Sequence, residues 1–268
     1  MRQPKVSFII PYFNAGLTID ETIASIQNQS YKNYDIWLIN DGSTDDFSIK
    51  KLEELKNIEN ITILHIPNSG PGIARNIAIE KTDAEFIVPL DADDLIEPNS
   101  IFEAVIKLNE NYKLGAVFGN IRLFGDESKI KIQSFKDIKT QFIYNQLAIT
   151  ALIRKQVFET VGYYDEFLSK PGLEDWEFWI RFANSQWNFE QISTIFLSVR
   201  VYQNSRTFVQ ANKNIEQIKE YVFKKHIKLL VENFESLYYD CKQLKETPDF
   251  RIGNILLKPY RLIKSTKN

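Results

Sequence analysis

The first 111 residues alternate apolar, β-branched segments with amphipathic ones, and this alternation leaves few folds open to the chain. The apolar segments predict strands and the amphipathic segments predict helices. The predicted strands are residues 6–11, 35–39, 61–66 and 84–90, and the predicted helices are residues 18–29, 47–56, 72–80 and 99–111. This alternation is typical of an α/β fold, with helices on both faces of a mostly parallel sheet. The loops after the strands then meet at one edge, where ligands bind.

The second half of the chain has a different pattern. It contains strand-like segments at 114–124, 148–153 and 192–202, an aromatic helical segment at 174–185, and a long amphipathic helix from 212 to about 245. A length of 268 residues suits one large domain with an appendage. We therefore expect a first domain over residues 1–207 and a helical C-terminal extension over residues 208–268.

Composition and charge exclude several classes of protein. The net charge of −2 offers no general attraction for nucleic acid. Cys241 is the single cysteine, so an internal disulfide is impossible and a reducing, cytoplasmic compartment is expected. No apolar run approaches the roughly 18 residues that span a bilayer. The first residues lead into a strand and lack a signal-peptide core.

The fourth predicted strand ends in three carboxylates, Asp91, Asp93 and Asp94. Side chains two apart in an extended segment point the same way, so Asp91 and Asp93 share a face. Paired carboxylates at a strand end are typical of a Mg²⁺ or Mn²⁺ site that bridges to a diphosphate. The alternative is an acidic turn that caps the next helix. Asp94 fits that alternative, because Asp94 to Glu97 resembles a capping box.

Six motifs in a fixed order identify a family. They are residues 6–14, 41–45 (Asp-Gly-Ser-Thr-Asp), 74–76 (Ala-Arg-Asn), 91–94 (Asp-Ala-Asp-Asp), 174–176 (Glu-Asp-Trp) and 200–202 (Arg-Val-Tyr). Together they resemble family 2 glycosyltransferases of bacterial type, and the resemblance spans residues 4–207. It implies a Rossmann-like GT-A fold. Residues 11–16 lack the glycine fingerprint of dinucleotide-binding proteins, which excludes that class.

The resemblance assigns the donor side of a sugar transfer to the strand-end loops. Asp93 would hold Mn²⁺ or Mg²⁺, which neutralises charge on a diphosphate leaving group. Asp91 would assist, toward the ribose or through water. Asp41 could accept a hydrogen bond from the imide N–H of a uracil. UDP is therefore the expected nucleotide, and dTDP and GDP are the next candidates. Asp41 could instead simply form the turn before Gly42.

Three more residues match nucleotide contacts of the family. Phe13 would stack on the base and Pro11 would offer a backbone contact, although both could simply pack in the core at a strand end. Arg75 follows the Gly-Pro-Gly sequence at 70–72, where small residues let the backbone approach a ligand and a helix start favours phosphate. Arg75 would face the nucleotide; the alternative is a surface arginine on an amphipathic helix.

The acceptor side needs a general base, because an alcohol must lose its proton as it attacks. Asp175 matches the base of the family, with Glu174 as its neighbour, and a base opposite the leaving diphosphate implies inversion. Alternatively, both acids could simply stabilise a helix N-terminus, a contribution of about 0.3–1 kcal/mol. Tyr202 departs from the family, which often has a metal-binding histidine at that position. A neutral phenol is a poor ligand for either cation.

The segment 250–268 interleaves apolar residues with five basic ones, at positions 251, 258, 261, 264 and 267. This pattern indicates a helix that attaches peripherally to a membrane, each cation contributing roughly 1 kcal/mol at an anionic surface. The alternative is a helix packed on the catalytic domain. Attachment would suit a lipid-linked acceptor and a location at the inner face of a membrane.

The expected function is an inverting, metal-dependent glycosyltransferase. It would move a sugar from a nucleotide donor to a hydroxyl of a saccharide or lipid-linked acceptor, in surface polysaccharide assembly. The expected catalytic domain is residues 1–207. A sugar nucleotidyltransferase is one alternative, and a catalytically inactive carbohydrate-binding homologue is another. The sequence leaves the sugar, the linkage and the oligomeric state open.

Overall fold

The computed structural model describes residues 3–202, 212–233 and 235. The strands are β1 (Val6–Tyr12), β2 (Tyr34–Asp41), β3 (Ile61–Ile66), β4 (Phe86–Pro89), β5 (Leu95–Ile96), β6 (Leu114–Gly125), β7 (Lys129–Lys131), β8 (Leu152–Arg154) and β9 (Asn188–Val201). The helices are α1 (Ile19–Gln27), α2 (Asp46–Leu55), α3 (Pro71–Lys81), α4 (Ser100–Glu110), α5 (Ile138–Ile143), α6 (Lys155–Val161), α7 (Glu166–Ser169), α8 (Glu174–Ala183) and α9 (Asn212–Lys225). By packing, the chain divides between Lys219 and Glu220.

The parallel half of the sheet has the strand order β3-β2-β1-β4 and confirms the predicted alternation of strands and helices. Its central strand β1 is apolar on both faces. Phe8 and Ile10 join one hydrophobic cluster and Ile9 joins the other, all three fully buried. A strand that is covered on both sides needs a continuous apolar run, because no face is left for water. The buried run of β1 therefore explains why helices flank this sheet on both faces.

The second half of the chain extends the same sheet in the order β4-β8-β6-β9-β5. Strand β8 pairs antiparallel with β4 and with β6, and β9 then runs parallel to β6. The two-residue strand β5 pairs antiparallel with β9 near its carboxyl end. This pairing returns the segment after the acidic loop to the end of β9. The edge of the sheet that carries the acidic loop is thus built from both halves of the chain.

Some boundaries differ from those that the sequence predicts. The predicted strand at 148–153 is reduced to β8, and the predicted strand at 192–202 begins earlier, at Asn188. The capping box at Asp94 is wrong, because β5 follows it and α4 begins at Ser100. Pairing with β9 outweighs the local capping pattern.

The C-terminal predictions are only partly covered by the structure. Helix α9 confirms the start of the long amphipathic helix at 212. The boundary between residues 207 and 208, and the basic segment 250–268, lie outside the described residues. None of the helices in the described part is both long and apolar enough to cross a membrane.

Candidate active site

The acidic loop at residues 91–94 is held by the end of β9. The Asp94 carboxylate is buried and accepts a hydrogen bond from the Arg200 backbone N–H at 2.9 Å. The Arg200 side chain donates from Nε to the Asp93 carbonyl at 3.2 Å. A turn closes the loop, with the Asp94 N–H donating to the Asp91 carbonyl. Asp94 therefore has a structural task in the loop, while the contacts of Asp91 and Asp93 with a donor stay predictions.

Arg75 connects the acidic loop to the start of α8. Its Nη1 donates to Glu174 Oε1 at 2.7 Å, and its Nη2 donates to the Asp91 carboxylate. The arginine side chain is only 3% exposed and that of Glu174 is 7% exposed, so this is a buried ion pair. Burial opposes the charge on Arg75, but the two carboxylates outweigh it and raise the pKa of the guanidinium. The donor-side and acceptor-side motifs therefore meet at one residue.

The burial of Arg75 excludes the alternative of a surface arginine. Its ring neighbour is Tyr164, whose centroid lies 5.9 Å from the guanidinium carbon. Two of the guanidinium nitrogens bond carboxylates, while within the described residues Nε has no hydrogen-bond partner. A direct contact between Arg75 and the nucleotide stays a prediction. The contacts show that Arg75 lies between two carboxylates, Asp91 and Glu174.

The helix that carries the predicted base begins at a sharp turn. Gly172 and Leu173 both have positive φ, 96° and 67°, and α8 starts immediately after them. Glu174 and Asp175 thus occupy the first turn, where negative charge is favoured by the helix dipole. Both interpretations of these acids, as helix-stabilising groups and as candidate catalytic groups, agree with this placement. The helix places Asp175 one residue beyond Glu174, which bonds Arg75.

Asp175 is a partly buried carboxylate with an unusual proton affinity. Its Oδ2 accepts from Asn145 Nδ2 at 2.7 Å, and its Oδ1 accepts from the Trp176 backbone N–H at 2.8 Å. Burial, assisted by the charge of Glu174, raises the pKa of Asp175 to about 7. A carboxyl group that titrates near neutral pH is suited to accept a proton from an alcohol.

Asp93 is the residue that the sequence predicts as the ligand of a hard cation. Burial, followed by repulsion from Asp91, raises the pKa of its carboxyl to about 6. A divalent cation would relieve that repulsion, and carboxylate oxygen is the donor that Mg²⁺ and Mn²⁺ prefer. In the described part of the chain, no group of three or more His, Cys, Asp or Glu side chains could hold a metal. Binding of a cation by Asp93 stays a prediction.

The negative charge of Asp93 affects the phenol of Tyr202. Burial and then the negative charge of Asp93 raise the pKa of the Tyr202 phenol. The residue is 39% exposed, so its ring lies partly at the surface. The raised pKa keeps the phenol neutral near neutral pH, and its poor fit to a cation stays a prediction.

Asp41 has a structural task at the end of β2. Its carboxylate accepts from the backbone N–H groups of Ser69 at 2.6 Å and Gly70 at 2.9 Å, and the residue is 3% exposed. These bonds fix the loop that leads into α3. Asp41 therefore does more than form the turn before Gly42. Recognition of a base by its remaining lone pairs stays a prediction.

The glycines at 70 and 72 have a different use from the one that the sequence suggests. A Cβ on Gly70 would lie 2.6 Å from the Ser169 carbonyl oxygen, and one on Gly72 would lie 3.2 Å from Glu174 Cγ. Ser169 Oγ also accepts from the Ile73 N–H at 2.9 Å. The close approach seen here is between α3 and the α7–α8 segment, and an approach of this backbone to a ligand stays a prediction.

Tyr12 and Phe13, at the end of β1, differ in their burial. Tyr12 is fully buried and donates its hydroxyl to the Ser48 carbonyl at 2.8 Å. Phe13 is 48% exposed, which argues against simple core packing, and Pro11 is partly exposed. Contacts of Phe13 and Pro11 with a nucleotide stay predictions. The core takes the tyrosine and leaves the phenylalanine at the surface.

Sequence reasoning misses Asn145, the side-chain partner of Asp175. The segment around it carries no recognisable strand or helix pattern, because α5 is only six residues long. The available signal is a cluster of amides, Gln141, Asn145 and Gln146. The aromatic residues of α8 lie in the core, with Trp176 2% exposed and Phe178 and Trp179 fully buried.

Comparison with known proteins defines the class. A family model described as glycosyl transferase family 2 matches residues 7–165, more than half of the chain. The chain therefore belongs to glycosyltransferase family 2.

Curated relatives carry related names. An uncharacterized glycosyltransferase of Haemophilus influenzae is 34% identical over 166 residues, covering 58% of this chain and 64% of the relative. The poly-beta-1,6-N-acetyl-D-glucosamine synthase of Staphylococcus epidermidis is 28% identical over 177 residues, covering 60% of this chain and 42% of the synthase. The chain thus spans less than two thirds of the length of either relative.

Solved structures support the fold. S. aureus TarS 1–349 in complex with UDP superposes with a TM-score of 0.62 at 22% identity, covering 74% of this chain and 60% of that one. The same protein in complex with UDP-GlcNAc gives a TM-score of 0.65 at 20% identity, covering 76% and 61%. At this identity the likeness shows the fold alone. The predicted GT-A fold is confirmed.

Proposed function

We propose that this chain is an inverting, metal-dependent glycosyltransferase that moves one sugar from a UDP-sugar to a hydroxyl of a saccharide or lipid-linked acceptor. The observation that supports it best is the buried Arg75–Glu174 ion pair, which also bonds the partly exposed Asp91. A transfer reaction requires the leaving group and the attacking hydroxyl to be held on either side of one carbon. One arginine that bonds the acidic loop and the start of α8 provides a rigid frame for both.

On the acceptor side, Asp175 takes the proton from the attacking hydroxyl. Its pKa of about 7 makes both the free carboxylate and the transfer of a proton to it accessible near neutral pH. Attack from this side, opposite the leaving diphosphate, inverts the anomeric configuration. Glu174 stays bonded to Arg75 and fixes the start of the helix.

On the donor side, Asp93 is the proposed ligand of Mn²⁺ or Mg²⁺, and Asp91 is the proposed contact to the ribose or to a bridging water. When bound, such a cation supplies Lewis-acid stabilisation of the departing diphosphate. Phe13, whose ring is exposed, would stack on a base, with Pro11 as a backbone contact. Asp41 shapes the loop beside that site and would accept the uracil imide N–H.

The relatives support a role in polysaccharide assembly. One is named for synthesis of a polymer of N-acetylglucosamine, and the TarS structures hold UDP and UDP-GlcNAc. UDP-N-acetylglucosamine is therefore the first donor to test. Membership of family 2 argues against a sugar nucleotidyltransferase. We further propose residues 1–207 as the catalytic domain and residues 250–268 as a peripheral membrane contact, which places the protein in the cytoplasm at the inner face of a membrane.

A thermal-shift panel of nucleotide sugars with and without Mn²⁺ tests the donor side. We expect one UDP-sugar to stabilise the protein in a Mn²⁺-dependent manner, and Asp93→Ala to abolish the Mn²⁺-dependent part. Asp126→Ala, on a surface loop, is a matched control that should keep it. Equal stabilisation with and without the cation, or full retention in Asp93→Ala, would contradict the metal site. An inactive homologue would bind without releasing UDP.

A further inference from the structure

The loop between α5 and β8 reaches the start of α8 through one side chain. Asn145 is partly buried, and its Nδ2 donates to Asp175 Oδ2 at 2.7 Å. The other carboxylate oxygen accepts from the Trp176 N–H at 2.8 Å. Each oxygen of Asp175 is therefore held by one donor from a different segment of the chain. Such a pair of bonds fixes the plane of the carboxylate.

The orientation of the Asn145 amide is determined by its surroundings. Its Oδ1 accepts from the Leu147 backbone N–H at 3.4 Å and from Gln141 Nε2 at 3.0 Å. Because a backbone N–H can only donate, the atom facing it must be oxygen, and the NH₂ group must face Asp175. Gln141 is itself fully buried and accepts from the Gln146 N–H at 3.0 Å. The hydrogen bonds thus run in one direction and end on the carboxylate.

We propose that Asn145 is a positioning residue for Asp175, held by the amide chain from Gln146 through Gln141. The inference rests on the proposed function, in which Asp175 accepts the proton of the acceptor hydroxyl. These amide hydrogen bonds orient the carboxylate and favour its ionised form before the acceptor arrives. Linked hydrogen bonds in a poorly solvated site strengthen one another, so the effect of the last donor depends on the whole chain.

The charged groups around Asp175 oppose one another. Glu174, its neighbour on α8, raises the pKa of Asp175, and Arg75 on α3 lowers it. Tyr164 also faces this region and stays neutral, because burial raises the pKa of its phenol. Burial is the largest influence, and the bond from Asn145 acts against it. Without that bond, the proton would leave Asp175 only at a higher pH.

The test compares Asn145→Ala and Asn145→Asp with the unaltered chain. The measurement is the pH dependence of UDP release from UDP-N-acetylglucosamine with Mn²⁺. We expect the acid limb to move up by about one pH unit in Asn145→Ala, since a hydrogen bond to a charged group has about that effect. Asn145→Asp should move it further, because a second carboxylate repels the first. Asn120→Ala, which loses a 2.8 Å bond to the Ser193 carbonyl on distant strands, should leave it unchanged.

The order of the two variants distinguishes positioning from a merely structural role. Asn145→Asp is isosteric and keeps both acceptor bonds, so a structural role predicts that it resembles the unaltered chain more than Asn145→Ala does. A limb that does not move in either variant overturns the inference. Turnover retained in Asp175→Asn removes the base and the inference with it.

A second measurement does not depend on activity. A carboxyl group whose pKa is raised on folding binds its proton more tightly in the folded state, so it costs stability progressively as pH rises from about 4 to its folded pKa. The difference in melting temperature between the chain and Asp175→Asn reports this cost. In an Asn145→Ala background we expect the decline to continue to higher pH. If the decline spans the same pH range in both backgrounds, the inference is overturned. This test needs no turnover, so a failure to turn over any donor would contradict the proposed function alone.

Discussion

Replacing Arg75 with methionine should destabilise the protein strongly, because it leaves a buried carboxylate without its partner. The guanidinium and Glu174 Oε1 are 2.7 Å apart, with side chains 3% and 7% exposed. Removing one member of a buried ion pair costs about 3–5 kcal/mol. The Asp91 side chain is 44% exposed, so water screens its charge and it adds little. We therefore expect Arg75→Met to lower the free energy of unfolding by about 3–4 kcal/mol.

Urea denaturation near neutral pH measures this loss, and the chain offers a matched control. Arg122 bonds Glu97 at the same 2.7 Å, but its side chain is 47% exposed. Arg122→Met should therefore cost at most about 1 kcal/mol. The double variant Arg75→Met with Glu174→Gln should be more stable than Arg75→Met alone, because no unpaired charge remains.

Two results would refute this reasoning. The first is a loss in Arg75→Met no greater than that in Arg122→Met. The second is a double variant no more stable than Arg75→Met. Either would mean that Arg75 contributes packing at this position and that its charge is not needed to balance Glu174.

Two further variants address the acceptor side and the packing of α3. Asp175→Asn should keep thermal stabilisation by a donor but lose UDP release. UDP release by the unaltered chain should rise with pH through about 7, since the base works deprotonated. A flat pH profile below 7 would contradict the assignment of Asp175 as the base. Gly70→Ala should cost about 1–3 kcal/mol in urea denaturation, because φ is +90° and the new Cβ would meet the Ser169 carbonyl at 2.6 Å. Gly16→Ala is a useful comparison, because that position is crowded but lacks a positive φ. An unchanged stability in Gly70→Ala would contradict the tight contact between Gly70 and Ser169.

The sequence is most informative where a segment must be apolar throughout. Strands β1 and β4 are predictable because a strand between two layers of helices has no face for polar residues. The acidic loop is predictable because three carboxylates stand out directly after an apolar strand. The capping prediction at Asp94 fails because the bond from the Arg200 N–H comes from 106 residues away and cannot be seen locally.

The burial of Arg75 and the role of Asn145 also depend on contacts between segments that are far apart in sequence. Glu174 is 99 residues from Arg75, and Asp175 is 30 residues from Asn145. A periodic pattern reports which face of a helix is apolar, and α3 has room for Arg75 on such a face only because two acids meet it there. No local pattern distinguishes an arginine that faces solvent from one that is buried between carboxylates.

By itself, the sequence determined the α/β class, the family, and the loops that carry the acidic groups, because strand periodicity and strand-end motifs are local properties of the chain. Only the tertiary structure decided which groups meet: Arg75 between Asp91 and Glu174, and an amide chain ending on Asp175. The physical reason is that the strength of an ion pair or a hydrogen bond depends on burial and distance, and both are set by packing between segments far apart in sequence.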